Sequence, residues 1–518
     1  MRFFFRPDRR KMHLVPLVAA TYFMVSGGPY GLEDILGGAG FGWAILILLI
    51  LPLIWSLPTA LMIGELAAAI PAEGGFYVWV RRALGPFWGY QEGWLSLSAS
   101  IFDMALYPSL FALYLGKLNP ALTAGSRAYL WSLAVVVLCC AWNLLGAPRV
   151  GFDSVWMSAL LLSPFAIFAV IGLWSGFSLH PAVALGNLTS GPGSSVGFST
   201  AVLVAMWNYM GWDNASTVAR EVEHPQRNYP RGMIAAVLVV TATYILPFAA
   251  MAFAGISTSS FSTGDWTGAA NILGGHWLGL AVVLGGCITG IGMFNALAMS
   301  YARVPIAMAA DGMLPRIFER RNRRNVPWVS LLACGFAWAL ALNLPFERLI
   351  SIDLILYGTS LILEFLSLIV LRLREPELPR PFRAGSFLSV CFLALIPSAL
   401  IVYALYISRA EKLGDPATIA SQIPAVLISA CGSAGHLLVG FLVWLAGVSS
   451  LLFAFTIALL GPIFYWFTAR PFAHHRVPAA ASLANHSADP ATPPATLASL
   501  PVAELAPEPV AAAETAAE

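Results

Sequence analysis

Apolar runs of 20 residues or more recur almost from one end of this chain to the other. As a helix, such a run spans about 30 Å, the thickness of a bilayer's hydrocarbon core. Composition points the same way. Of 518 residues, 58% are hydrophobic and only 10% are charged, too few charges to cover a water-soluble surface. The chain reads as an all-α polytopic membrane protein with about 12 transmembrane helices. Its net charge of +2 gives no reason to expect a nucleic-acid partner.

Twelve spans are expected, at about 12–38, 42–70, 84–116, 126–147, 154–178, 197–220, 231–256, 276–309, 326–345, 348–372, 385–408 and 437–468. With the N-terminus in the cytoplasm, 23 of the 28 lysines and arginines fall in cytoplasmic segments or span ends; Lys117, Arg127, Arg348, Arg409 and Lys412 do not. That is the positive-inside asymmetry. The expected division is a cytoplasmic N-terminus over 1–11, a core of ten spans over 12–372, and two further spans over 373–470. An extracytoplasmic insertion is expected near 409–436. It reads as a hairpin, because a thirteenth span there would place Arg470, His474, His475 and Arg476 outside. Past Pro471 the chain is rich in Ala, Pro and Glu, and a disordered cytoplasmic tail over 471–518 is expected. The basic start MRFFFRPDRRKM resembles a signal peptide, but no small-residue cleavage site follows it, so the first span reads as an uncleaved anchor.

The six cysteines have no zinc or Cys-x-x-Cys spacing and lie mostly in apolar runs, as small buried residues do. All eight histidines lie near span ends, in loops or in the tail. None is deep enough for a metal, a haem or a proton relay. No cofactor is expected, and proton chemistry falls to carboxylates.

Two spans carry residues that membrane helices avoid. The first holds VSGGPYGLED, residues 25–34. Ser26, Gly27 and Gly28 interrupt the helix, and Pro29 suits the first position of a new half-helix starting at Pro29 or Tyr30. The free amides of such a start make an anion site. A simple kink, or packing through Gly27-x-x-x-Gly31, would explain the same residues. The sixth span holds WNYMGWDNAS, residues 207–216. There Gly211 permits unwinding, and Asp213 or Asn214 can cap the restart. The two spans run in opposite directions. Interrupted spans in matching positions of opposed halves point to a transporter with a site at the membrane's midplane, since irregular backbone at that depth must line a protein cavity.

The same stretches resemble a known family. VSGGPYGLED, PLIWSLPTALMIGELAAAIPAEGGFYVWVRRALGPFWGYQEGW and FDMALYP are similar to the amino acid–polyamine–organocation permeases, in particular to the branch of polyamine–proton symporters. WNYMGWDNASTVAREVEHPQRNYPRG and YARVPIAMAADGMLP match the wider superfamily. The resemblance covers roughly residues 10–385. It implies five-plus-five inverted repeats with broken spans 1 and 6, two extra spans, alternating access and proton coupling. It also implies an acidic or polar site residue near Asp213. Some members place a lysine in the fifth span as a stand-in for a coupling cation; residues 154–178 contain none.

Carboxylates in a membrane are costly, about 2.5–3.5 kcal/mol each near the centre. Asp103 and Asp213 are expected to bind substrate or carry the coupling proton. A helix cap at Asp213, or an interhelical hydrogen bond at Asp103, is the plainer alternative. Tyr107 shares a helix face with Asp103. Of the adjacent pair Glu33 and Asp34, Glu33 is expected to face the cavity and Asp34 to snorkel or gate. Trp207, Asn208, Tyr209, Gly211 and Trp212 flank the second break, and aromatic rings can hold an ammonium. Tyr357 is a further lining candidate. Glu65 reads as structural or as a gate, and Glu221 and Glu223 as solvated charge or a gate.

The function expected is a secondary permease in the plasma (cytoplasmic) membrane, both termini cytoplasmic. Its substrate is a small amine, either a polyamine or an amino acid, with a proton as coupling ion and a lean towards cationic amines. A neutral amino acid permease or exchanger is the alternative. A non-transporting sensor with the same fold is the alternative of another class. No catalytic motif points to an enzyme.

Overall fold

Eight helices among the described residues are long and apolar enough to cross a membrane, and three shorter apolar ones accompany them. The structure, a computed structural model, describes residues 11–179, 186, 195–256, 261–342, 344, 346–408 and 448–469. The expected insertion near 409–436 and the tail over 471–518 lie outside these residues. The described residues form no β-sheet; two isolated bridges are the only strand-like pairings among them.

The chain enters as α1 (Leu14–Val25), breaks, and resumes as α2 (Glu33–Leu51). At Gly40, φ is 71° and ψ 172°, so the first crossing turns there into the second. That crossing continues through a π turn at Pro52–Ser56 into α3 (Leu57–Ala69). A short amphipathic α4 (Gly75–Leu84) leads to the long α5 (Pro86–Leu118), then α6 (Arg127–Asn143) and α7 (Ala147–Leu179). The sixth crossing is α8 (Ser195–Asn208) followed by 3-10 turns at Trp212–Thr217 and Ala219–Glu221. After it come α9 (Pro225–Phe253), α10 (Trp266–Gly274), α11 (His276–Tyr301), α12 (Arg303–Ala310), α13 (Trp328–Leu340), α14 (Phe346–Arg374), α15 (Phe387–Ser408) and α16 (Ser450–Phe464). This order accommodates the twelve expected crossings.

Burial separates centre from periphery. The apolar windows of α5 and α14 are 78% and 72% buried, whereas those of α15 and of Ser450–Phe467 are only 28% and 22% buried. The first two therefore form the interior and the last two present apolar side chains outward, as lipid-facing helices do. α5 packs on both α11 and α14. Glycines let α11 come close: a Cβ at Gly286 would lie 2.4 Å from the Tyr114 ring, and one at Gly292 would lie 2.5 Å from Phe23. Close packing through small residues is the main attraction between helices in lipid.

One end of the bundle is rich in arginine and is laced with ion pairs. Arg303 binds Glu221, Arg81 binds Asp311 at 3.1 Å, and Arg321 and Arg82 bind Glu73 and Glu375, each at 2.6 Å. The Met12 amide donates to the Glu221 carbonyl at 2.7 Å, which ties the start of α1 to the end of the sixth crossing. Glu65 is fully buried and receives bonds from Arg372, Arg380 and the Ala384 amide. It anchors the turn after α14.

Candidate functional site

The broken spans owe their shape to glycine. In the first, Gly28 and Gly31 have φ of 80° and 84°, left-handed values that cost other residues strain. Residues in that conformation cannot belong to a right-handed helix. The helix therefore resumes at Glu33, not at Pro29 or Tyr30 as the sequence led us to expect. In the second break Gly211 has φ of 89°. The restart is a 3-10 turn over Trp212–Thr217, and neither Asp213 nor Asn214 caps it. Tertiary bonds explain the departure from an α-helix. The Asn214 carbonyl accepts from Ser300 Oγ at 3.0 Å, and the Ala215 carbonyl from Tyr229 Oη at 2.7 Å.

The breaks meet in the interior. A Cβ on Gly211 would lie 2.4 Å from the Met24 carbonyl oxygen. Asn208 Nδ2 donates to the Gly31 carbonyl at 3.3 Å. Beside this junction is a cavity of about 10 Å³, room for roughly one water. Met24, Val25, Asp103, Tyr107, Trp207, Asn208, Met210, Gly211, Met293, Tyr301 and Tyr357 line it. The protein is thus closed around its centre, and any larger ligand requires the helices to part.

Two carboxylates are held here by tyrosines. Tyr107, one turn along α5, donates to Asp103 Oδ1, and Tyr301 donates to Oδ2 at 3.4 Å. Tyr357 donates to Asp213 Oδ1 at 2.6 Å, and its oxygen accepts the Gly211 amide at 3.0 Å. One hydroxyl therefore joins the second break to Asp213. The Trp207 ring lies parallel to Tyr107, with centroids 6.5 Å apart, and edge-on to Phe346 at 5.7 Å.

Sequence reasoning missed a third carboxylate. Asp353 is fully buried on α14, one turn before Tyr357. Neither of its oxygens has a hydrogen-bond partner among the described residues. It lies within electrostatic reach of Asp103 and Asp213. The missed signal is a polar stripe in an apolar helix: Asp353, Tyr357, Ser360 and Glu364 fall at i, i+4, i+7 and i+11, which is one helix face. Tyr301, Met24 and Met293 also line the cavity without having been foreseen.

Several expected residues lie elsewhere. Glu33 was expected to face the cavity and instead binds the segment after α9. It accepts from the Gly31 amide at 2.7 Å, the Gly264 amide at 3.0 Å and the Tyr114 hydroxyl. Backbone amides draw a carboxylate strongly where no water competes. Asp34 accepts from the Thr263 amide at 3.1 Å and hydroxyl at 2.7 Å, and Trp266 Nε1 donates to the Pro29 carbonyl at 2.9 Å. Residues 261–274 thus form a cap on the first break. Lys117 reaches the same cap through Asp265 at 3.3 Å. Burial alone would raise the Asp265 carboxyl, but bonds from Ser262 and Lys117 outweigh it and hold the group below the usual carboxylate range.

Ser26, Gly27 and Gly28 border the junction without lining the cavity. Ser26 Oγ accepts the Gly28 amide at 3.1 Å, and the Gly27 carbonyl accepts from Thr289 at 2.7 Å. Tyr209 donates to the Leu48 carbonyl at 3.0 Å, and Trp212 to the Tyr209 carbonyl at 2.7 Å. Neither of these side chains lines the cavity. No cluster of three potential metal ligands occurs among the described residues.

A family model described as amino acid permease matches residues 18–431. Polyamine transporter PUT1 of Oryza sativa subsp. japonica is 33% identical over 412 residues, covering 77% of this chain and 74% of that protein. Polyamine transporter RMV1 of Arabidopsis thaliana is 32% identical over 396 residues, 76% of this chain and 79% of its own. The serine/threonine exchanger SteT of Bacillus subtilis (strain 168) is 26% identical over 373 residues, 70% and 82% of the two chains.

Proposed function

The chain belongs to the amino acid permease family, and from that premise we propose that it is a proton-coupled carrier of cationic amines, polyamines before amino acids. It is a membrane permease and not an enzyme. The observation that carries the choice of substrate is Asp103 in the wall of a small cavity whose lining contains no lysine or arginine, with Asp213 behind it on the lining residue Tyr357 and Asp353 within electrostatic reach of both. Negative charges in a low dielectric favour a cation, and Tyr107, Trp207, Tyr301 and Tyr357 offer π faces to an ammonium. The first break supports the same reading. An amino acid's carboxylate would seek its amides, yet the Gly28 amide is bound by Ser26 Oγ and the Gly31 amide by Glu33. A polyamine has no carboxylate to place there.

In this reading Asp213 and Asp103 carry the coupling proton. Alternating access would open the ion-paired end, centred on Arg303–Glu221 and Arg321–Glu73, in turn with the end capped by residues 261–274. Both termini would lie on the ion-paired, arginine-rich side, the cytoplasmic face of a plasma membrane.

Competition against labelled uptake in proteoliposomes tests the substrate. Putrescine, spermidine, arginine and lysine at equal concentration and fixed pH are expected to inhibit more strongly than leucine or alanine. Stronger inhibition by leucine or alanine would transfer the site to neutral amino acids.

A further inference from the structure

Two buried carboxylates lie outside the cavity and have no role in the mechanism above. Glu92 of α5 and Glu364 of α14 are both fully buried. Each faces its partner helix beside a serine one turn away, Ser96 and Ser360. These hydroxyls lie 2.9 Å apart, and both donate to Glu92 Oε1, Ser96 at 3.2 Å. Glu92 Oε2 and both Glu364 oxygens have no hydrogen-bond partner among the described residues. Glu364 is within electrostatic reach of Glu92, and both are within reach of Asp213. On α5 the pair is eleven residues from Asp103, about 16 Å along the axis towards the arginine-rich end.

Among the described residues no cation is paired with either carboxylate. The arginines on the neighbouring elements are engaged elsewhere: Arg81 with Asp311, Arg82 with Glu375, Arg303 with Glu221, and Arg372 and Arg380 with Glu65. Arg374 donates to the Ala83 carbonyl. Of the nearby tyrosines, Tyr77 donates to Asp311, Tyr357 to Asp213, and Tyr465 packs on Phe87 and Tyr90. Tyr403, Tyr406 and Cys391 belong to the lipid-facing α15. Two ionised carboxylates in such a place would each cost several kcal/mol. A proton removes that cost and needs no more room than a hydrogen bond, whereas a metal ion or an ammonium needs a cage. Both serine hydroxyls sit on one Glu92 oxygen and leave Oε2 open to a proton, and none of the four side chains lines the cavity.

We propose that Glu92 and Glu364 form a proton-binding site separate from the substrate cavity, exchanging its proton with Asp213. The site rests on the proton-coupled reading above and extends it towards the arginine-rich face. The exchange is a proton transfer alone. An O–H bond on Glu92 or Glu364 breaks as one forms on the Asp213 carboxylate, and the negative charge moves the other way.

The test compares the full chain with Glu92→Gln, Glu364→Gln and the double variant in proteoliposomes. Glutamine keeps the shape and removes the proton site. The readouts are putrescine binding, accumulation driven by a pH step, and the infrared carbonyl band of protonated carboxyls at neutral pH, taken without substrate. The double variant is expected to bind putrescine within about threefold of the parent. It should lose part of the band, and with a one-unit pH step it should accumulate about tenfold less. Either an unchanged band or unchanged accumulation in the double variant overturns the proposal, as does accumulation that follows sodium instead of pH. If the parent binds no amine, the amine reading fails by itself, and the band alone then decides the proton site.

Discussion

Asp213→Asn is expected to go on exchanging labelled substrate while losing accumulation against a gradient. Asparagine fills the same space and can still accept the Tyr357 hydroxyl bond seen at 2.6 Å. The junction of the two breaks therefore survives, because Tyr357 also holds the Gly211 amide. What disappears is a group able to take up and release a proton. One coupled proton and a pH step of one unit supply about 1.4 kcal/mol, about a tenfold gradient. The parent should approach that ratio, and the variant should settle near an inside-to-outside ratio of about one. The measurement is the steady-state content of labelled putrescine in proteoliposomes with and without the step. Asp103→Asn tests the second carrier in the same way. Full accumulation by both variants would remove these residues from the coupling and direct attention to Asp353.

A second large effect is expected at Gly211. Alanine there must adopt a φ of 89°, which costs about 1–2 kcal/mol. Its Cβ would also lie 2.4 Å from the Met24 carbonyl oxygen, which is backbone and cannot turn aside. The broken spans would have to separate, and uptake should fall at least about tenfold with the protein still inserted. Gly28→Ala is the control. It carries a similar φ of 80°, but its Cβ would meet the flexible end of Leu161 at 3.3 Å, so measurable transport should remain. Equal uptake by Gly211→Ala and the parent at equal expression would show that the breaks need not pack this closely.

The sequence revealed the helical spans because lipid demands long apolar runs, and it revealed the breaks because Gly, Pro and acidic residues are conspicuous within them. Asp103, Tyr107, Trp207 and Tyr357 stood out by type and spacing, and the structure brings all four to the cavity. The direction of a side chain was harder to read. Glu33 and Asp34 both turn to the cap because Gly264 and Thr263 offer amides there, and those residues are some 230 positions away in the chain. The 3-10 restart after Gly211 likewise depends on Ser300 and Tyr229. Asp353, Glu92 and Glu364 were legible in principle, since helical spacing alone aligns them with Tyr357 and Asp103, but they lie on continuous helices where no break marks them.

The cap over the first break has a consequence for measurement. Glu33 holds the amides of Gly31 and Gly264, and Asp34 holds that of Thr263. Two neighbouring side chains thus hold hydrogens of the first break and of the cap together, and lifting the cap would free those of Gly264 and Thr263 at once. Their exchange rates should move together under any condition that frees the cap. In that sense these two hydrogens are a clock for one mouth of the carrier, readable by mass spectrometry without a substrate or a label.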